Sequence, residues 1–128
     1  MIGLTLDTGA LIAIERRERR STLFVERARA DGQRLTVPSA VVVEWWRGQR
    51  GPAARLLDSL HVEALDRELA EVAGRALAIV RGATAIDAIV MASAARRGDA
   101  VLTGDLDDLD ALRAAFPGVR LLGIARGS

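Results

Sequence analysis

Three short apolar runs do most to limit what this chain can fold into. Ile2-Gly3-Leu4-Thr5-Leu6, Leu35-Thr36-Val37 and Ala100-Val101-Leu102-Thr103 are too short for buried helices. All three read as strands, and the first, which ends at Asp7, reads as a buried one. His61-Val62-Glu63-Ala64-Leu65 and Val119 to Ile124 are two further strand candidates. Helical spacing fills the intervals. Helices are expected over Thr8 to about Arg17, Thr22 to Ala30, Ser39 to Arg47, Ala53 to Leu60, Asp66 to Arg81, Thr84 to Arg97 and Asp105 to Phe116. Pro38 suits a first helical turn, and Gly48, Gly82 and Gly98 suit helix ends. Strands alternating with helices predict an α/β fold, one parallel sheet with both faces covered. No repeat, linker or low-complexity stretch divides the 128 residues, which fit a single domain.

Composition removes several chemistries. The chain has no cysteine, so disulfides, thiolate zinc sites and thiol nucleophiles are excluded. All 18 basic residues are arginine. A P-loop nucleotidase and any lysine nucleophile are therefore excluded too. A net charge of +1 is by itself no nucleic-acid footprint. No apolar run approaches the ~20 residues of a membrane span, and the first residues lack a secretion signal's apolar stretch. A cytoplasmic location, away from membranes, is the expectation.

Sheets of this kind place ligands at the carboxyl ends of strands, near a switch in strand order. Asp7 follows the first strand directly, and Asp105 follows Val101-Leu102-Thr103 by two residues. Each precedes a helix and has a plain role as an N-cap. Asp87 has no such explanation. Ala85 to Ala95 is apolar around nearly the whole helical wheel, so Asp87 is expected to be buried with it. Glu44 stands alone in Val-Val-Val-Glu-Trp-Trp, with Arg47 one turn on as a possible ion-pair partner. The only histidine, His61, lies on a strand and reads as structural. Four carboxylates drawn together in low dielectric repel, and a hard divalent cation with oxygen ligands resolves the conflict.

Asp7-Thr8 after a first strand, Glu44 in an apolar helix, Asp-Ala-Ile-Val-Met-Ala-Ser-Ala from Asp87 and Val-Leu-Thr-Gly-Asp-Leu-Asp-Asp-Leu around Asp105 resemble the PIN-domain ribonucleases. Length and motif order are similar to the VapC-type toxins of bacterial toxin–antitoxin pairs. The resemblance covers nearly the whole chain and implies a doubly wound, five-stranded parallel sheet flanked by helices. It places Asp7, Glu44, Asp87 and Asp105 at the catalytic, metal-binding positions for Mg²⁺ or Mn²⁺. Thr8 and Thr103 fall beside them. Asp108 falls where many members carry a further acid, although Leu109 replaces the aromatic that follows it there. Gly9 stands where serine or asparagine is common.

The activity so implied is hydrolysis of RNA phosphodiester bonds by a metal-activated water, restrained by a cognate antitoxin protein. RNA would be held by arginines, foremost Arg16, Arg17, Arg19 and Arg20 of Glu-Arg-Arg-Glu-Arg-Arg, whose plainer role is a solvated helix face. With four aromatics in all, stacking platforms are sparse. A homodimer is expected from the apolar surface of Trp45 and Trp46. An antitoxin groove is expected along Leu11, Ile12, Leu23 and Phe24. A metal-dependent DNA nuclease or phosphatase would use the same acids. A non-catalytic α/β interaction module would leave Glu44 and Asp87 without cause.

Overall fold

The computed structural model describes residues 3–124. Its elements are β1 (Leu4–Leu6), α1 (Thr8–Glu15), α2 (Arg19–Ala30), β2 (Leu35–Pro38), α3 (Ser39–Trp45), α4 (Pro52–Leu56), β3 (His61–Glu63), α5 (Arg67–Ile79), α6 (Ala85–Arg97), β4 (Ala100–Thr103), α7 (Leu106–Ala111) and β5 (Leu121–Gly123). Single 3₁₀ turns at Leu57–Ser59 and Leu112–Ala114 extend α4 and α7. The five strands form one parallel sheet in the order β3-β2-β1-β4-β5. This is the doubly wound α/β architecture expected from the sequence. Among the described residues, no helix is long and apolar enough to cross a membrane.

The strand order reverses between β1 and β4, which pair directly, Leu4 with Ala100 through Leu6 with Leu102. That reversal opens a crevice at their carboxyl ends. Ala10 and Ala13 of α1 cover Leu6 and Leu102, while Val25 and Ala28 of α2 cover Leu4, Leu35 and Ala100. Helices α3, α5 and α6 enclose the larger core, built on Val41, Trp45, Leu69, Val90, Met91 and Val101. Helix α6 is buried along its middle, from Ala88 to Ala94, as its apolar wheel requires.

Several boundaries differ from the sequence reading. The first helix stops at Glu15, and Arg17 turns the chain with a left-handed φ of 56° before α2 begins at Arg19. The four arginines therefore straddle a break between helices instead of closing the first one. Helix α3 ends at Trp45, two residues short of Arg47, and β3 ends at Glu63 instead of Leu65. The Ile2 end of the first strand lies outside the described residues.

Candidate active site

Asp7 leaves β1 at the strand reversal and caps α1, its Oδ1 accepting the Ala10 N–H at 2.8 Å and the Gly104 N–H at 3.3 Å. Its Oδ2 accepts the Thr103 hydroxyl, and Thr103 Oγ1 in turn accepts the Asp105 N–H at 2.8 Å. The ends of β1 and β4 are thus tied through a single hydroxyl. Asp7 is only 5 % exposed. Burial pushes its carboxyl above the ordinary range, the hydrogen bonds from Thr103, Ala10 and Gly104 pull it partly back, and the Asp105 charge adds to the rise.

Asp87 lies in the first turn of α6, which Thr84 caps by accepting the Asp87 N–H. It is half-buried. Its carboxyl is also raised, first by burial, against the opposing Thr84 hydrogen bond, and then by the charges of Asp7, Asp105 and Glu44. One carboxyl therefore senses the other three acids. Asp105 caps α7, and Asp108, whose N–H it accepts, is raised by its hydrogen bond and charge interaction with Asp105, with smaller contributions from burial, Asp87 and Asp107. Both are exposed.

Glu44, alone among apolar neighbours in sequence, faces solvent. It is exposed, on the open side of the short helix α3, and Thr8 donates to its Oε1 at 2.5 Å. Arg47 does not pair with it; its guanidinium donates to the carbonyls of Val43 and Trp46. Only Asp7 of the four acids is fully buried, so the site is a partly open cleft rather than a sealed cavity.

Carboxylate donors suit a hard divalent cation; Asp7 Oδ1 already accepts two N–H groups, but Asp7 Oδ2 and Glu44 Oε1 each accept only one hydroxyl and keep a lone pair for one. Among the described residues, no three acidic or histidine side chains already form a metal cage.

Arg16, Arg17, Arg19 and Arg20 are all exposed around the α1–α2 break. Two features of the cleft had no signal in the sequence. Gly104 supplies a backbone donor to Asp7, and Gly9 packs against Gly104 so closely that a Cβ on Gly9 would lie 3.0 Å from the Gly104 Cα. The expected groove changes as well. Leu11 is fully buried in the core, and the groove beside α2 is floored by Ile14, Leu23 and Val25 instead.

The PIN domain family model matches residues 4–115, and so takes in every acid of the cleft. The chain belongs to the PIN-domain family. Members of the family are nucleases, hydrolases of phosphodiester bonds. No curated protein sequence matches this PIN domain. It is similar in fold to solved structures at low identity. VapBC2 from Rickettsia felis bound to a promoter DNA fragment matches with TM-score 0.74 and 14% identity, covering 97% of this chain and 99% of that one. DNA-bound VapBC from Salmonella typhimurium gives 0.71 and 20%, covering 96% and 98%. FitAcB from Neisseria gonorrhoeae gives 0.65 and 17%, covering 94% and 96%.

Proposed function

We infer that this PIN domain is a Mg²⁺- or Mn²⁺-dependent endoribonuclease, the VapC-type toxin of a toxin–antitoxin pair. The observation that carries the reading is the meeting of Asp7 and Asp105 at the carboxyl ends of the paired strands β1 and β4, joined through Thr103, with Asp87 near enough to feel both charges. Such a group of acids, next to a strand reversal and with no ion-pair partner among the described residues, suits a cation. When bound, a divalent ion there supplies Lewis acidity and a water acidified toward neutral pH. Asp7, Glu44, Asp87 and Asp105 would hold it. Thr103 fixes the Asp7 carboxylate and Thr8 orients Glu44, so neither acid has to be ordered when the cation arrives. Asp108 extends the acidic edge. No covalent nucleophile is needed.

Arg16, Arg17, Arg19 and Arg20 lie beyond the carboxyl end of α1, whose amino end carries Asp7 and Thr8. An RNA strand crossing the cleft would reach them by its phosphates. Cleavage of RNA against DNA of matched sequence, in Mg²⁺ and in EDTA, tests the function. Cleavage of RNA alone, abolished by EDTA, is expected. Preference for DNA would favour the rival nuclease, and no cleavage of either would favour an interaction module.

The similar structures are VapBC and FitAB assemblies, which supports an antitoxin partner for this chain as well. An apolar-floored groove of roughly 520 Å³ beside α2, rimmed by Arg17, Arg19 and Arg29, suits an amphipathic segment with acidic edges. An arginine carried by that partner would pair with the cleft carboxylates and exclude the cation. Excess Mn²⁺ should then weaken inhibition.

A further inference from the structure

Opposite the acids, at the other end of α6, lies a buried ionic cluster that the cleavage chemistry does not use. Arg97, the last residue of α6, is largely buried and spends its guanidinium on four partners. Its Nε donates to Asp99 Oδ2 at 2.9 Å, and its Nη2 donates to Thr5 Oγ1 at 2.7 Å and to Ser93 Oγ at 2.9 Å. Its Nη1 donates to Glu63 Oε2. Asp99 also accepts the Gly3 N–H at 3.1 Å and the Thr5 hydroxyl at 2.9 Å, and Ser93 donates to Glu63 Oε1 at 2.6 Å. One side chain thus ties the end of α6 to β1, to β3 and to the residue that opens β4.

The rest of α6 is held by apolar packing: Ile89, Val90 and Met91 enter the large core together with Ala88, Ala92 and Ala94, and α5 packs alongside. Apolar packing is non-directional, and a slip of one residue along the helix axis moves every group by about 1.5 Å. Fixed hydrogen-bond geometry penalises such a slip. Buried ionic groups often add no net stability over apolar replacements, and register is their best-attested use.

We propose that Arg97 is the positioning residue of the acidic cleft, locking α6 lengthwise against β1 and β4 so that Asp87, at its far end, stays opposite Asp7 and Asp105. The inference rests on the cation-site reading above. Besides β3, it grips β1, which leads directly into Asp7, and the residue before β4, which ends in Thr103; the helix it anchors begins two residues before Asp87. Distances among the acids are thereby set from the opposite end of the sheet.

The test uses the whole chain and two readouts. Arg97→Met combined with Glu63→Gln and Asp99→Asn removes the cluster without leaving a net buried charge. Arg97→Lys keeps the charge but cannot reach four partners. Because the chain has no cysteine, nitroxide labels at Glu26→Cys on α2 and Ala85→Cys on α6 report the α6 position without any metal. Mn²⁺ affinity is read directly by the loss of its free-ion electron resonance signal. Expected is a cooperative melt for the triple variant, a shifted or broadened label distance, and Mn²⁺ binding weaker by about tenfold or more, with Arg97→Lys between it and the parent. A folded triple variant with the parental distance and parental Mn²⁺ affinity overturns the proposal. If the triple variant does not fold, Arg97→Lys decides by the same two readouts. If the parent itself binds no Mn²⁺, the cation-site reading fails, and the label distance alone then decides the role of Arg97.

Discussion

Gly9 and Gly104 meet backbone to backbone across the mouth of the cleft. A Cβ on Gly9 would lie 3.0 Å from the Gly104 Cα and 3.3 Å from its N, and a Cβ on Gly104 would lie 3.1 Å from the Gly9 Cα. Contacts that short force a shift, and the groups in the way are rigid main chain. Gly104 is also a hydrogen-bond donor to Asp7. Gly9→Ser should therefore cost about 1–3 kcal/mol in urea unfolding and reduce cleavage, although serine is common there in the family. Parental stability in that variant would show that the β4–α7 turn can yield.

Replacing Asp7 by Asn should abolish cleavage, by about two orders of magnitude or more, while raising the melting temperature in EDTA. Asparagine keeps an oxygen for the Ala10 N–H and removes a buried charge that Asp105 opposes. Unchanged cleavage would remove Asp7 from the site.

The pH dependence of that gain has a definite sign. Asp7 and Asp87 hold a proton more tightly folded than unfolded, because burial and neighbouring acids raise both. Their contribution to stability is present below the ordinary aspartate range, near 3.8, and is lost as pH rises through the folded values. In EDTA, the stability advantage of Asp7→Asn over the parent should grow as pH rises from about 4. Urea midpoints at several pH values check this, and a constant advantage would contradict it. Glu63 and Asp66 act oppositely. Burial works against Glu63, but Ser93, Arg97 and Arg96 hold it low, while the Leu69 N–H and Arg96 lower Asp66, so their contributions fade as pH falls.

Arg17 occupies the left-handed region, where a glycine would sit without strain. Arg17→Gly should stabilise the fold by about 1 kcal/mol, since an arginine there costs roughly that much. RNA affinity should fall, and the slope of log affinity against log salt should shrink by about 0.7 for the one phosphate contact removed. Filter binding across a salt series measures both. An unchanged slope would mean that Arg17 touches no phosphate.

Trp46 is 40 % exposed, with Val43 and Ile79 also open to solvent. A homodimer would cover such a surface, and Trp46→Glu should then dissociate it. Trp45 is not part of that surface, being buried with its Nε1 donating to Glu15. Sedimentation of the parent as a monomer at micromolar concentration would remove the dimer.

The sheet was legible because β2 and β4 are unbroken apolar runs, and the caps Asp7, Asp66 and Asp105 announce their helices locally. Asp87 stood out as a charge on an otherwise apolar wheel, but it is half-buried and not buried as that wheel suggested, because it lies in the first turn of α6, before the buried stretch from Ala88 to Ala94. The surroundings of Glu44 were not legible, because α3 is too short for its apolar neighbours to surround it, so three valines in sequence do not mean three buried valines; Val43 is exposed. The α1–α2 break was hidden because Arg17 does what glycine usually signals. The Arg97 cluster joins positions 5, 63, 93, 97 and 99, and no local pattern brings those together.

The strand order also makes the cleft a late product of folding. Asp7 follows β1 directly, but the strand paired beside it, β4, is separated from β1 by more than two-thirds of the 128 residues. Until Thr103 arrives, Asp7 lacks its hydroxyl donor, and until Asp105 arrives the ring of acids is open. The cleft therefore depends on one long-range pairing, and the chain has to close a large loop before Asp7 gains its partners.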